Sequence, residues 1–385
     1  MADELRRTAL YDWHHEHGAR MGPFAGWDMP LQYETGAIRE HLAVREHAGL
    51  FDISHMGQIE ISGPEATTFL DFALSNDIIG LREGLSTYCL LCRENGGVLD
   101  DVFVYRLPDR FYVVVNAASV EKDEAWLREV AAGRHGRPED GHDGPSTGFE
   151  VTITNLSYET SMFALQGPDA LGVYEQAAGH EISDLERFAI RRDRLSGAEL
   201  LVSRTGYTGE DGIELYVSNE AALSVWKSLM EAGSSAPSGL IPIGLAARDS
   251  LRFEPGFALY GHELDEETTP PEARLKWACQ LERPFVGRER ILEEIETGLS
   301  KKLVTIRMVD RAMLREGYEV VSPEGESIGR VVTGMYSPTL EWYYGNAYVE
   351  PAYAKTGTAM EIVIRGRRKK AEVVKRPLYR PAYRS

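Results

Sequence analysis

The chain of 385 residues is 43% apolar, holds 37 glycines and carries a net charge of −18, enough material for two or three domains with a packed α/β or α+β core. The acidic balance argues against nucleic-acid binding over the general surface. No apolar run approaches the roughly 18 residues of a membrane span, and residues 1–10 lack a signal-peptide core, so no membrane contact and a cytoplasmic location are the expectation.

In chain order, Trp13-His14-His15-Glu16-His17 lacks the H-E-x-x-H spacing of a helical zinc site, and no other ligand set completes a shell, so no metal is expected. Residues 37–48 predict an amphipathic helix with Ile38 and Leu42 inward and Gly49 as its stop. Ser54 and His55 are adjacent, a poor geometry for a nucleophile and its base, and no G-x-S-x-G elbow exists, which argues against hydrolase chemistry. Residues 58–62 alternate as a strand ended by Gly63-Pro64. Cys89 and Cys92 have redox-motif spacing but lie in an apolar run with no helix start to lower a thiol pKa, so they are read as core. With Cys279 the only other cysteine, a disulfide framework is not expected.

Asp100-Asp101-Val102-Phe103-Val104-Tyr105 and Phe111-Tyr112-Val113-Val114-Val115-Asn116 flank the turn signal Pro108-Asp109 and predict a β-hairpin. A two-residue loop sets 105 against 112, 103 against 114 and 101 against 116. Alternation then projects Asp101, Phe103, Tyr105, Tyr112, Val114 and Asn116 from one face, and four valines from the other. A carboxylate and an amide beside aromatic rings suit a flat, nitrogen-rich heterocycle that gains positive charge during reaction. The same pattern fits an acid capping the hairpin over half-buried packing, and both readings stand on shape alone.

Residues 119–132 predict a second helix leaning on Ala125, Trp126, Val130 and Ala131, and residues 133–148 an exposed connection. The stretch Arg204-Thr-Gly-Tyr-Thr-Gly-Glu-Asp-Gly-Ile-Glu-Leu215 spaces its glycines G-x-x-G-x-x-G and enters a strand, which argues against a phosphate cradle. Glu214 lies on the face opposite Ile213 and Leu215. It is either solvent-facing or an acceptor for the amidine-like edge of a ring such as a 2-aminopyrimidinone. Arg248 and Arg252 share a helical face, suited to ion pairs or to forking onto ligand carboxylates. A boundary near 295–302 divides residues 1–295 from residues 302–385, where short strands and turns predict a small antiparallel barrel or sandwich. Nine Lys/Arg against one acid in residues 365–385 form either a solvated strand edge or a docking surface for an anionic tail or acidic partner.

Pro23-Phe-Ala-Gly-Trp-Asp-Met-Pro30, Gly49-Leu-Phe-Asp-Ile-Ser-His-Met-Gly57, Asn95-Gly-Gly-Val-Leu-Asp-Asp101, Leu165-Gln-Gly-Pro168, the Arg204–Glu214 loop, Ala247-Arg-Asp-Ser-Leu-Arg252 and Tyr260-Gly-His-Glu-Leu264 occur in collinear order. Together they resemble the aminomethyltransferase family, the T-protein of the glycine cleavage system, over about residues 8 to 380. The resemblance implies a three-lobed, cloverleaf-like α+β folate-binding fold of two interleaved lobes plus a C-terminal antiparallel β-barrel. It implies a catalytic aspartate at Asp101 and tetrahydrofolate contacts at Tyr88, Val114, Tyr207, Glu214, Arg248 and, on the loosely matching tail, Arg380. Phe103, Tyr105 and Asn116 join them through the predicted ribbon face.

The implied activity is transfer of a methylene carbon from the aminomethyl-lipoyl arm of H-protein to tetrahydrofolate, with release of ammonia. Because an ordinary aspartate is a feeble base at pH 7, Asp101 is expected to act mainly by electrostatic positioning. The start of the family match at the N-terminus leaves no room for a transit peptide and favours a prokaryotic cytosol. Ser337-Pro-Thr-Leu340 keeps the family pattern, but Glu341-Trp-Tyr-Tyr344 brings in aromatics, expected to alter the lipoyl entrance. Two alternatives share the fold. One is a tetrahydrofolate-dependent demethylase of a small methylated compound, which the intact Gly26–Pro30 and Ser54–Gly57 segments disfavour. The other is a non-catalytic folate protein of iron–sulfur assembly, whose K-G-C-Y-x-G-Q-E motif is absent at Arg204–Glu210.

Overall fold

The computed structural model describes residues 4–135, 148–234, 239–381 and 383. The connection expected at 133–148 therefore lies mostly outside the described residues. Among the described residues, a strand pair (Arg20–Phe24 with Trp27–Gln32), two larger sheets and a barrel organise the chain. A five-stranded antiparallel sheet runs in the order Ser86–Cys92, Val98–Arg106, Phe111–Val115, Gly57–Ser62 and Thr152–Asn155. A six-stranded sheet runs Ile190–Leu195, Ala198–Ser203, Gly212–Ser218, Thr160–Gln166, Gly49–Asp52 and Ile241–Ile243, with only the last pair parallel. The chain leaves the second sheet at Asp52, enters the first at Gly57, and returns between Asn155 and Thr160, so the two lobes are interleaved.

The hairpin forms in the expected register. Phe103 pairs with Val114, Val104 with Val113 and Tyr105 with Tyr112, and the Leu107 N–H donates to the Arg110 carbonyl at 2.8 Å. Its valine face joins Ile59, Phe69, Leu70 and Leu127 in the core of the first lobe. Its other face is partly closed, because Tyr105, Tyr112 and Val114 pack against Phe51, Met162, Ala164 and Tyr216 of the second sheet and Ile53 just beyond it. A sheet with apolar residues on both faces needs two layers to cover it, and the second lobe supplies one of them.

Helix Asn219–Ser234 buries Ala222, Val225, Trp226, Leu229 and Ala232, an apolar stripe at three- and four-residue spacing. Two other helices depart from expectation. Ala37–Glu46 leaves Ile38 53% exposed and turns inward Glu40, His41, Val44 and Arg45, while Gly49 begins a strand and the helix ends at His47. Its inner side meets fixed polar partners, where charge outweighs apolar periodicity: Glu40 accepts from the Tyr33 and Gly244 N–H groups, and Arg45 pairs with Glu210 and Glu254. Val120–Ala131 buries Val120, Asp123, Leu127 and Val130, with Ala125 exposed and Trp126 and Ala131 only half-buried.

After helix Arg288–Thr297, six strands close a barrel in the order Lys302–Met308, Trp342–Val349, Ser327–Ser337, Glu319–Val321, Ala359–Ile364 and Arg367–Val374. The basic strand Arg367–Val374 pairs on both sides, so it is not a free sheet edge. Helix Leu245–Phe253 and the turn after it lock the barrel to the other lobes. Glu254 accepts from Ser337 Oγ at 2.5 Å and from Thr339 Oγ1 at 2.8 Å, and Asn346 Nδ2 donates to Glu263 at 2.7 Å. The aromatics Trp342 and Tyr344 pack in this joint with Phe253, Met335 and Leu378. Trp342 stays half-buried there, while Tyr344 is buried.

Candidate active site

Asp101 sits on the strand Val98–Arg106 at the end of the ribbon that the second sheet leaves uncovered. It is half-buried, as are Phe103 and Asn116 beside it. In the sheet register Tyr88 stands opposite Phe103, which makes it a diagonal neighbour of Asp101. The Tyr88 hydroxyl donates to Asp101 Oδ2 at 3.0 Å, and Asn116 Nδ2 lies 2.9 Å from Asp101 Oδ1. Behind it, Asp100 is fully buried and accepts from the Asn116 backbone N–H at 3.0 Å and from Asn116 Nδ2 at 2.9 Å.

Burial, reinforced by the Asp100 charge, pushes the Asp101 carboxyl up to about 7, although Tyr88 and Asn116 favour its ionised form. This overturns the expectation of an ordinary, feebly basic aspartate. Near neutrality the group can both accept and return a proton.

A second group of residues faces this one. Arg248 lies with its guanidinium carbon 4.7 Å from the Tyr207 ring centroid, and that ring stacks on Phe257 at 5.8 Å. The Tyr207 hydroxyl donates to the Ala258 carbonyl, and Tyr207 feels the charges of Asp101 and Arg248. Glu214 is buried, which overturns the solvent-facing reading. Its Oε2 accepts from Thr205 Oγ1 at 2.5 Å and from the Tyr105 hydroxyl at 3.5 Å, while Oε1 has no hydrogen bond among the described residues. Burial raises the Glu214 carboxyl, against Thr205 and Arg248, which favour its charge.

The two arginines of helix Leu245–Phe253 take different parts. Arg252 is 1% exposed and paired with Asp249 and Glu263 at 2.9 Å each, so it anchors the fold. Arg248 makes no side-chain hydrogen bond or ion pair among the described residues, which leaves its fork available to a ligand.

Three expected residues sit differently from an open stacking face. Tyr105 is fully buried, with its hydroxyl tied to Thr205 at 2.9 Å and Tyr216 at 3.0 Å, so it holds Glu214 in place and offers no free ring. Val114 is 6% exposed in the seam between the sheets. Arg380 is exposed on a tail pinned by the Leu378 and Tyr379 N–H groups to the Glu254 carbonyl. It makes no side-chain bond among the described residues.

Sequence reasoning overlooked two surface rings at the mouth. Trp277, 65% exposed, stacks on Tyr88 at 5.5 Å, and Phe188, 45% exposed, stacks on Phe103 at 6.2 Å. Phe188 has φ of 65°, strain for a bulky residue that no local sequence signal announces. A groove of about 580 Å³ opens at the other end of the ribbon, between Tyr112, Arg110 and Glu60 on one sheet and Arg192, Glu199 and Tyr216 on the other. It contains neither Asp101 nor its partners.

Other motifs resolve into packing. Ser54 Oγ donates to Asp52 Oδ1 at 2.6 Å and not to His55, and burial, then Arg248, pushes the His55 imidazole down to about 3. His14 is buried between Asp52 Oδ2 at 2.9 Å and the Tyr33 hydroxyl at 2.8 Å. All three cysteines are buried and free. Among the described residues, no group of three or more His, Cys, Asp and Glu is arranged to hold a metal ion, and no helix is long and apolar enough to cross a membrane.

Comparison with known proteins places the whole chain. Residues 10–283 match the GCVT N-terminal domain and residues 301–380 match the Glycine cleavage T-protein C-terminal barrel domain. The aminomethyltransferase of Symbiobacterium thermophilum is 44% identical, with 100% of both chains covered. That of Desulforamulus reducens is 42% identical, covering 98% of this chain and 99% of its own. The crystal structure of glycine cleavage system aminomethyltransferase T from Bartonella henselae superposes with a TM-score of 0.88 at 34% identity, covering 98% and 99% of the two chains. Two matched domains in the observed order, on a fold that superposes end to end, establish that the chain belongs to the glycine cleavage T-protein family, the aminomethyltransferases.

Proposed function

We propose that the chain transfers the methylene carbon of an aminomethyl-lipoyl H-protein to tetrahydrofolate, giving 5,10-methylenetetrahydrofolate, ammonia and dihydrolipoyl H-protein. The observation that carries this reading is Asp101, poised near neutrality between Tyr88 and Asn116 in a family of aminomethyltransferases. Loss of ammonia leaves an electrophilic carbon on sulfur. One folate nitrogen bonds to it, and bonding of the second nitrogen expels the sulfur. The two N–H protons that folate gives up leave with ammonia and the lipoyl thiol. Asp101 holds one of them in transit and offsets the cationic charge on the reacting nitrogens.

The pterin's amidine-like edge donates to Glu214 Oε1, the oxygen that Thr205 and Tyr105 leave free. Arg248 takes a carboxylate of the acidic folate tail. Trp277 and Phe188 present flat surfaces at the entrance to the folate ring system or to the methylene-rich lipoyl arm. The test is an assay with aminomethyl-loaded H-protein and tetrahydrofolate that scores ammonia and methylene-folate together. Equal release of both supports the reading. Failure with H-protein but turnover of a small methylated amine would move the donor to the demethylase class.

A further inference from the structure

Asp123 has no place in the chemistry above, yet it is the least expected side chain in its neighbourhood. It lies on the apolar stripe of helix Val120–Ala131 and is 0% exposed, and neither carboxyl oxygen has a hydrogen-bond donor among the described residues. Its partner is another acid, because the Asp123 and Asp100 carboxyls stand within hydrogen-bonding reach of one another. Two buried carboxylates cannot both ionise at that separation, and a carboxyl pair makes a hydrogen bond only if one member keeps its proton.

The proton belongs on Asp123. Asp100 already accepts two N–H groups of Asn116, at 2.9 and 3.0 Å, which favour its ionised form, whereas Asp123 has no such donors. Among the charged groups around the pair, Lys122 favours the ionised form of both acids, and the Asp101 charge opposes ionisation of Asp123. Lys122 on the same helix is turned to the Leu99 carbonyl at 2.7 Å and the Tyr260 hydroxyl at 2.6 Å, and it faces Glu266 at 3.5 Å. Its charge acts on both acids, and Tyr260 and Asp101 also lie beside them. Facing Asp101 itself are Asp100, Tyr88, Asn116 and Tyr207.

We propose that Asp123 is a neutral carboxylic acid that donates its proton to Asp100, so that the two acids stand as one fixed negative charge behind Asp101. Asp123 is thus a positioning residue: it touches no reacting atom and acts by keeping Asp100 ionised and aimed at Asn116. Asn116 completes the link, since its amide also reaches Asp101 Oδ1. This deepens the proposed function and rests on its assignment of Asp101. Burial raises both carboxyls, and on Asp123 the Asp100 charge adds to it, whereas on Asp100 the bonds from Asn116 oppose it.

The direct test is difference infrared spectroscopy of the full chain without substrates at pH 8. A carbonyl stretch of a buried protonated carboxylic acid is expected in the unmodified protein, kept in Asp101→Asn and lost in Asp123→Asn. The second readout is the acid limb of kcat/KM against pH. Asp100→Asn removes the fixed charge and moves the limb down by about one pH unit, roughly tenfold in the ionised fraction of Asp101 below the limb. Asp123→Asn replaces a neutral donor by another and leaves the limb where it was, whatever happens to kcat. No protonated-acid band in the unmodified protein overturns the proposal, even where no variant folds. So does a limb that falls in Asp123→Asn as far as in Asp100→Asn, because Asp123 would then carry charge. Absence of any transfer activity sinks the reading of Asp101 instead, and leaves the band to decide where the proton sits.

Discussion

An aspartate raised to about 7 titrates in the range where an enzyme works, so the role of Asp101 has a measurable shape. Acting as a base, it must be ionised, and kcat/KM is expected to rise about tenfold per unit below pH 7 and to level off above it. Tyr88→Phe removes a donor to the ionised carboxyl, so its acid limb moves to higher pH. A limb that stays in place or moves down would separate Tyr88 from Asp101. Asp101→Asn is expected to cost on the order of 10²-fold or more in turnover while tetrahydrofolate still binds, as followed by single-turnover rates and by equilibrium titration. Unchanged turnover in that variant would remove Asp101 from the chemistry. Asp101 and Asn116 were legible as neighbours from strand alternation alone. The raised affinity for protons was not, because it comes first from burial, which the strand pattern does not show, and only then from the neighbouring Asp100.

Elements were legible where one local period dominates. The hairpin at residues 98–115 shows its register in alternating valines and aromatics around a tight loop, and its pairing follows. Helix Ala37–Glu46 misled because its inner face is built from Glu40, His41 and Arg45, which besides the nearby Tyr33 N–H find their partners in loops and a helix more than 160 residues later. Helix Val120–Ala131 carried an overlooked signal, an acid in register with Val120, Leu127 and Val130. The strand bearing Asp101 also depends on Gly97, where a Cβ would overlap the Glu266 carbonyl oxygen. Gly97→Ala is expected to cost about 1–3 kcal/mol in urea unfolding and to raise KM by shifting the start of that strand. At the far hairpin, Arg365 takes φ of 50° beside Gly366 at 73°, a two-residue loop that favours Asn-Gly. Arg365→Asn should stabilise by roughly 1 kcal/mol, seen as a higher urea midpoint.

At the scale of the molecule, three lobes are held in place by buried charge at the joint. Glu254 receives Arg45 at 2.9 Å and His41 at 3.3 Å from one lobe, and Ser337 and Thr339 from the barrel. Burial alone would raise this carboxyl, but His41, Arg45 and Ser337 bring it down to about 2. A depressed acid stabilises the fold above its ordinary pKa and loses that contribution as pH falls through the folded value. The urea midpoint should therefore drop between about pH 4.5 and pH 2, and Glu254→Gln should flatten that slope. Arg45→Leu leaves Glu254 and Glu210 without their arginine and is expected to cost about 3–5 kcal/mol. The amino-acid order by itself determined the ribbon and its register, which rest on short-range periodicity, and the fold class with its C-terminal barrel through family motifs that lie collinear along the chain. Only the tertiary structure decided which side of the ribbon stays open, which arginine is spent on the scaffold, and how tightly Asp101 holds its proton. Those outcomes depend chiefly on desolvation and on how packing orients neighbouring charges, and neither can be read from the local sequence.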